Sequence, residues 1–192
     1  MLLSLMIVMW NLCMHKHRFR FDSLIIDRTG GNFNNFKYFP QVYGLYIKYL
    51  ECFEDDFSQF RRNALNGMVD FVEKTSSHFY LVLNGDELCG FFALERFIGN
   101  YSAEVVTCFK REYWGNFTKS VGLEFEDFCF NVLGLKKLKA LIYPQNSRVK
   151  GLLRFCGFKS EALLKRETVK NGIPQDIEIY SVYAEERQEK CS

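Results

Sequence analysis

The chain is expected to fold as one mixed α/β (α+β) domain, and three features of its 192 residues predict this. An antiparallel meander over residues 79–109 is followed by a helix, a strand, a second helix and a closing hairpin. Turn signals fall between the apolar runs, at Asn84-Gly85, Gly99-Asn100 and Asn171-Gly172. The apolar fraction of 48%, with 17% aromatic residues, supplies one full core and excludes a disordered polymer.

The elements follow in order. Residues 19–27 (FRFDSLIID) read as a first strand, and Gly30-Gly31 with residues 32–35 as a loop. Residues 42–53 and 57–72 carry apolar side chains at helical spacing, which predicts two helices joined near Glu54-Asp55-Asp56. Strands are expected at 79–83, 88–97 and 102–109. The next helix begins near Thr118. It places Val121, Phe125, Phe128, Cys129 and Val132 on one face and Glu124, Glu126, Asp127 and Asn131 on the other, with Gly134 as its cap. A strand over 138–143 stops at Pro144. A short helix then buries Val149, Leu152, Leu153 and Cys156 and ends at Gly157, with Phe158 folding back. A hairpin of 160–169 and 175–183 closes the domain. The assembled order is β-α-α-β-β-β-α-β-α-β-β. The domain spans 19–184, between an N-terminal extension over 1–18 and a polar, frayed tail over 185–192.

The formal charge of +2 gives no argument for nucleic acid, and no dedicated nucleic-acid motif is present. None of the seven cysteines forms a CxxC pair and most sit in apolar runs, so reduced, buried thiols in a cytoplasmic protein are expected. No metal is expected, because ligands at regular spacing are missing. Residues 2–13 are apolar but shorter than the roughly 20 residues of a membrane span, and they lack a secretory signal's flanks. Translation starting at Met14, an extra buried strand and a peripheral contact are the alternatives for this segment. A homodimer is compatible with the sequence.

A helix N-terminus offers unpaired amides and the positive end of a dipole, which suit a pyrophosphate. Residues 110–120 (KREYWGNFTKS) stand in that position. Gly115 permits an unusual backbone angle. Lys119 opposes the helix dipole, a cost that an anion in front of the helix would offset. An ordinary loop with a solvated lysine is the plainer reading of the same residues.

From 79 to 183 the chain resembles the GNAT N-acetyltransferases, and is most similar to the branch acting on ribosomal-protein amino termini and related small amines. The text carrying the resemblance is Ala103-Glu104-Val105-Val106, Trp114-Gly115, Asn146-Ser147-Arg148 and Gly157-Phe158, completed by Gly172, Asp176 and Tyr180. It implies acetyl-CoA as co-substrate, lying between splayed central strands, and an amine-bearing acceptor, either a small molecule or a protein N-terminus. The main chain of Cys108, Phe109 and Lys110 would face the acetyl and pantetheine groups. Gly115, Asn116, Phe117, Thr118 and Lys119 would hold the pyrophosphate, and Asn146, beside Arg148, would bond the pantetheine arm. Glu104 matches the strand glutamate that serves as base through water, with Glu95 as substitute. Burial beside Tyr101 or Phe109 would raise its pKa towards neutral.

The sequence departs from the family's pattern in two places. Phe117 and Lys119 stand where the phosphate loop usually has glycines, so a side chain there would crowd the pyrophosphate. Leu153 stands where many members place a tyrosine that protonates the leaving thiolate, and Tyr143 is nearby in sequence. The alternative is a GNAT-fold binding or assembly protein without turnover, of phage or viral association.

Overall fold

The computed structural model describes residues 19–27, 32–49 and 64–188. The strands are β1 (Arg20–Ser23), β2 (Ile25–Asp27), β3 (Asn32–Asn34), β4 (Phe79–Asn84), β5 (Glu87–Ile98), β6 (Ser102–Phe109), β7 (Lys137–Ile142), β8 (Lys159–Lys170) and β9 (Ile173–Tyr183). The helices are α1 (Phe39–Lys48), α2 (Ala64–Lys74), α3 (Asn116–Asp127), α4 (Ser147–Phe155) and α5 (Ala184–Gln188). Seven strands form one sheet in the order β1-β4-β5-β6-β7-β9-β8, and β2 and β3 form a separate small hairpin. Every neighbouring pair in the large sheet is antiparallel except β6 and β7.

That parallel pair is the feature that positions the site. It holds for three register pairs, Ser102↔Lys137, Ala103↔Leu138 and Glu104↔Lys139. Beyond them β6 stays with β5 as far as Phe109, while β7 stays with β9 as far as Ile142. The two strands part like a fork, which is the splaying expected above.

Side-chain alternation gives the sheet two apolar faces. Tyr80, Val82, Phe92, Leu94 and Phe109 face α3 and α4, where the rings of Phe92 and Phe125 stack 4.1 Å apart. Leu81, Leu83, Phe91, Ala93 and Cys108 face the other way, onto Val42, Leu45 and Tyr46 of α1 and Met68 and Val72 of α2. The ends of α4 follow from its residues. Asn146 caps the first turn by accepting the Val149 N–H at 3.3 Å. Gly157 (φ +90) lets Gly157 N–H reach Arg154 O and Phe158 N–H reach Leu153 O, a Schellman stop. The β8–β9 turn has left-handed angles at Asn171 (φ 53) and Gly172 (φ 77). At the bulge in that hairpin, Asp176 accepts from the Arg166 amide and from Lys165.

Several expectations are corrected. The first strand is broken at Leu24 into β1 and β2, and residues 32–34 pair with β2 instead of looping. Helix α1 starts at Phe39, with Pro40 in its first turn, where a missing N–H costs nothing. Described α2 starts at Ala64, and the expected helical residues 50–53 and 57–63, the joint at 54–56 and Gly30-Gly31 lie outside the described residues, as do residues 1–18. Helix α3 starts at Asn116 instead of Thr118 and continues as a π-helical turn over Phe128–Val132. Glu126, assigned to the solvent face, is buried. The tail is not frayed as far as Gln188: α5 docks through Arg187, which donates to Glu126 at 2.7 Å and Leu123 O at 3.1 Å.

Helix α4 is tied to the sheet by an ion pair between Lys150 and Glu178 of β9, which Ser160 also supports. The Lys150 hydrogen bond holds the Glu178 carboxyl below its ordinary 4.5. A carboxyl depressed in the folded state contributes stability above its unfolded pKa, and that contribution is lost as pH falls through the folded value. Replacing Lys150 by Met is therefore expected to flatten the acid limb of a stability-versus-pH curve below about pH 4.5. Parallel curves for the two proteins would show that the pair contributes nothing there.

Candidate functional site

Where β6 and β7 part, they open a cavity of about 200 Å³. Its floor is the exposed edge of β6, and the strand's hydrogen bonds decide which amides it presents. Lys110 N–H donates to Cys89 O at 2.9 Å, across to β5. Antiparallel pairing alternates the edge that each amide faces, so Cys108 and Val106 also address β5. The amides of Thr107 and Phe109 are left facing the fork, while that of Val105 is taken up by the last parallel pair with β7. Of the three residues expected to offer main chain, Phe109 does so. Cys108 lines the cavity, and Lys110 turns away to pair with Glu87 at 3.2 Å.

The far end of the fork is bounded by two helix N-termini. Gly115 (φ 99, ψ −128) makes the corner into α3 in a conformation that side chains resist, although a Cβ there would meet no atom within 4 Å. No side chain caps this helix. The first bond of the turn is Lys119 N–H to Gly115 O at 3.1 Å, so the amides of Asn116, Phe117 and Thr118 precede the ladder. Thr118 lines the cavity, and its hydroxyl donates to Gly115 O. Asn146 caps α4 through Oδ1, which leaves its Nδ2 as a donor beside the cavity. The Arg148 guanidinium lies 4.0 Å from the Trp114 ring, and the indole N–H donates to Phe109 O at 3.0 Å.

The side chains expected to crowd a pyrophosphate point elsewhere. The Phe117 ring packs into the core against Phe19 (5.5 Å) and Tyr113 (4.9 Å), and it is not among the lining residues. The Lys119 ammonium sits 4.7 Å over the Phe155 ring, between α3 and α4. Gly115, Asn116, Phe117, Lys110 and Lys119 thus surround the cavity's end without lining it, while Thr118, Asn146 and Arg148 line it.

At the closed end of the fork two carboxylates face the cavity from opposite register positions, Glu95 on β5 and Glu104 on β6. Glu104 is 9% exposed, but its neighbours are not the aromatic groups expected from sequence. Arg96 donates to Oε2 at 2.8 Å and Lys139 to Oε1 at 3.0 Å, and Tyr101 is exposed. Arg96 reaches there from a bulge in β5, where it takes a left-handed φ of 48. Such an angle is costly for a residue with a Cβ, and it aims the guanidinium at Glu104. Glu95 has a looser partner, Lys74 at 3.7 Å.

Sequence reasoning missed three groups here. Arg96 sits at an unmarked bulge, Trp114 stacks on a helix distant in sequence, and Tyr49 at the end of α1 lines the cavity 5.6 Å from the Trp114 ring. Leu153 is buried and lines the wall, whereas Tyr143 is buried outside it. The described cysteines Cys89, Cys108, Cys129 and Cys156 are buried and form no disulfide. Burial pushes the thiols of Cys89, Cys129 and Cys156 up, so these three stay protonated. Among the described residues no cluster could hold a metal ion, and no helix is long and apolar enough to cross a membrane.

Known proteins can be compared with this geometry. No protein-family profile matches the chain. The uncharacterized N-acetyltransferase YoaA of Bacillus subtilis is 32% identical over 72 residues, 37% of this chain, and the match spans 41% of that protein's length. A spermidine N-acetyltransferase SpeG chimera of the Vibrio cholerae and hSSAT proteins superposes with a TM-score of 0.70 at 19% identity, covering 90% of this chain and 99% of the other. A GNAT-family acetyltransferase from Bacillus anthracis gives 0.69 at 15% identity, over 88% and 96%. The V. cholerae spermidine N-acetyltransferase in complex with CoA and spermine gives 0.67 at 18% identity, over 88% and 96%. These likenesses show the fold, a single α+β domain of GNAT type.

Proposed function

We propose that this GNAT-fold chain is an acetyl-CoA-dependent N-acetyltransferase acting on a primary amine. The observation that carries the reading is the fork between β6 and β7, with free-edge amides along one side and the uncapped start of α3 at its mouth. Bound acetyl-CoA would supply a thioester-activated acetyl group. The chain's own residues do the rest. The amides of Asn116, Phe117 and Thr118, with the α3 dipole, suit a diphosphate. Asn146 Nδ2 and the Arg148 guanidinium offer donors to the arm that follows. The amide of Thr107 polarises an acyl oxygen lying along β6. Glu104 accepts the amine's proton through a water, held in place by Arg96 and Lys139 while each oxygen keeps a further lone pair. Glu95 receives the positive charge of the arriving amine.

Calorimetry with acetyl-CoA tests this directly, and no heat of binding at millimolar cofactor would end it. Gly115→Ala refines the test. The added methyl meets nothing, so the backbone angle alone is strained, at about 1–3 kcal/mol. Relief of that strain turns the amides of α3, and acetyl-CoA affinity is expected to fall roughly tenfold or more. Equal affinity would remove α3's start from the cofactor site.

Within the class, we place the acceptor with protein amino termini, on the resemblance of Asn146-Ser147-Arg148 and Gly157-Phe158 to the ribosomal-protein branch. The structural neighbours named for spermidine make polyamines the competing acceptor. Acetylation of N-terminal peptides measured against spermidine decides between them. One observation favours a second reading, a binding protein without turnover: Leu153 leaves the tyrosine's place apolar. That reading predicts CoA binding, or none, with no acetyl transfer to any amine.

A further inference from the structure

Pairing between β6 and β7 ends at Glu104↔Lys139, so Val105 and Ala140 are the first residues past the junction, and both line the cavity at the apex of the fork. Side chains alternate along each strand. Leu138, Ala140 and Ile142 of β7 belong to the apolar cluster under α3 and α4, and so do Ala103, Val105 and Phe109 of β6. Glu104, between Ala103 and Val105, therefore faces the opposite side of the sheet, and so does its register partner Glu95. The two sides of the apex thus differ in chemistry. One carries the carboxylates, whereas the helix side is lined by Val105, Ala140, Ile142, Val149, Leu152 and Leu153, all aliphatic. The smallest of them stands at the apex itself. Ala140 lies between the larger Leu138 and Ile142 on its strand, and its register partner on β9, Tyr180, is buried without lining the cavity. A single methyl at this place leaves a recess below the cavity's aliphatic wall.

The amides fix the direction of a bound thioester. Its arm passes the starts of α3 and α4, and its acyl oxygen lies on the Thr107 amide, so the carbon chain beyond the carbonyl points down the fork towards Val105 and Ala140. Two residues of strand separate Thr107 from Val105, about 6.6 Å. An acetyl methyl covers only the start of that length, and three or four carbons fill it. Resting on the acyl-transfer reading above, we propose that this recess is an acyl pocket and that the chain transfers propionyl and butyryl groups in preference to acetyl. In that step the amine nitrogen bonds to the acyl carbon, the carbon–sulfur bond breaks and sulfur keeps the electron pair. The proton shed by nitrogen passes to the sulfur, so CoA leaves as a thiol and no oxidant or further reactant is needed. The pocket has a floor, because the paired strands below Glu104 and Lys139 stop a longer chain. It also selects by polarity, since a chain of butyryl length ending in a carboxylate would bury a charge among aliphatic groups.

Calorimetry on the wild-type chain compares free CoA with its acetyl, propionyl, butyryl, octanoyl and succinyl thioesters. Affinity is expected to rise roughly fourfold per methylene from acetyl to butyryl. It should fall again for octanoyl-CoA, which overruns the recess, and for succinyl-CoA, which buries a carboxylate there. Transfer, read as free thiol released with an N-terminal peptide or with spermidine as acceptor, should follow the same order. In Ala140→Val the preference for butyryl- over acetyl-CoA, about tenfold or more in the wild type, should shrink to near one. Leu153→Phe fills the same recess from α4 and should do likewise. A flat or falling series from acetyl to butyryl, a rise that continues to octanoyl, or transfer fastest from acetyl-CoA would each overturn the pocket and leave acetyl transfer standing. An undiminished preference in both variants would overturn it too. Should neither variant fold, the wild-type series decides alone. Wild type that binds none of the probes, free CoA included, would remove the acyl-transfer reading and the pocket with it.

Discussion

Glu104→Gln is expected to lower acetyl transfer at neutral pH by roughly 10²-fold or more, the range over which a positioned base acts. The carboxylate stands at the last paired residue before β6 and β7 separate, and Lys139 is its register partner across that junction. A glutamine keeps the shape but loses the charge. Its amide cannot accept a proton, and one of its two ends now presents hydrogens towards Arg96 or Lys139. Two cations lose their anion, so stability should also fall by about 1–3 kcal/mol, the size of a charge-assisted hydrogen bond. The pH profile separates chemistry from geometry. As pH rises towards the amine's own pKa the acceptor arrives already deprotonated, and the loss in the variant should shrink. A deficit of equal size at pH 7 and at alkaline pH would make Glu104 a positioning residue that holds the fork closed. Glu95→Gln is the companion measurement. It should mainly raise the KM for the amine, and a larger fall in kcat than Glu104→Gln gives would move the base to Glu95.

Most of the sheet was readable because its punctuation is local. Asn84-Gly85, Pro144, Gly157 and Asn171-Gly172 each specify a turn or a stop within a few residues, and the strands and helices lie between them. The corners at the proposed cofactor end were readable for the same reason, since Gly115 and Asn146 act on their own helices. What escaped notice depends on partners distant in sequence. The direction of the Phe117 ring is set by Phe19, about a hundred residues earlier, and no loop pattern reports it. Tyr49 reaches Trp114 across the α1 face of the sheet. The cations on Glu104 come from a bulge at Arg96 and from β7, so an expectation drawn from its neighbours on one strand misjudged its surroundings. The β2–β3 hairpin was missed because three-residue strands carry too little alternation to read.

Arg187→Ala carries the largest expected loss of stability, and it arises from a tail that looked dispensable. The guanidinium donates to Glu126 at 2.7 Å and to Leu123 O at 3.1 Å, and pairs with Asp127 at 3.0 Å. The Glu126 side chain is only 4% exposed, so without Arg187 a buried carboxylate loses the cation paired with it. Breaking one side of such a pair costs about 3–5 kcal/mol, and since the Arg187 side chain is 22% exposed the lower figure applies. At roughly 2–4 °C per kcal/mol for a chain of this size, the melting temperature should drop by about 6–12 °C. The charge also sits at the C-terminal end of α3, where a cation favours the helix dipole. Loss of the anchor should therefore loosen the helix whose other end faces the proposed diphosphate, and weaken acetyl-CoA binding with it. Pairing Arg187→Met with Glu126→Gln removes both charges and should recover most of the stability, because the penalty belongs to the buried charge more than to the lost bond. A single Arg187→Ala variant that melts within a degree of the wild type would mean that water already reaches Glu126, and α5 would then be the loose tail that the sequence suggests.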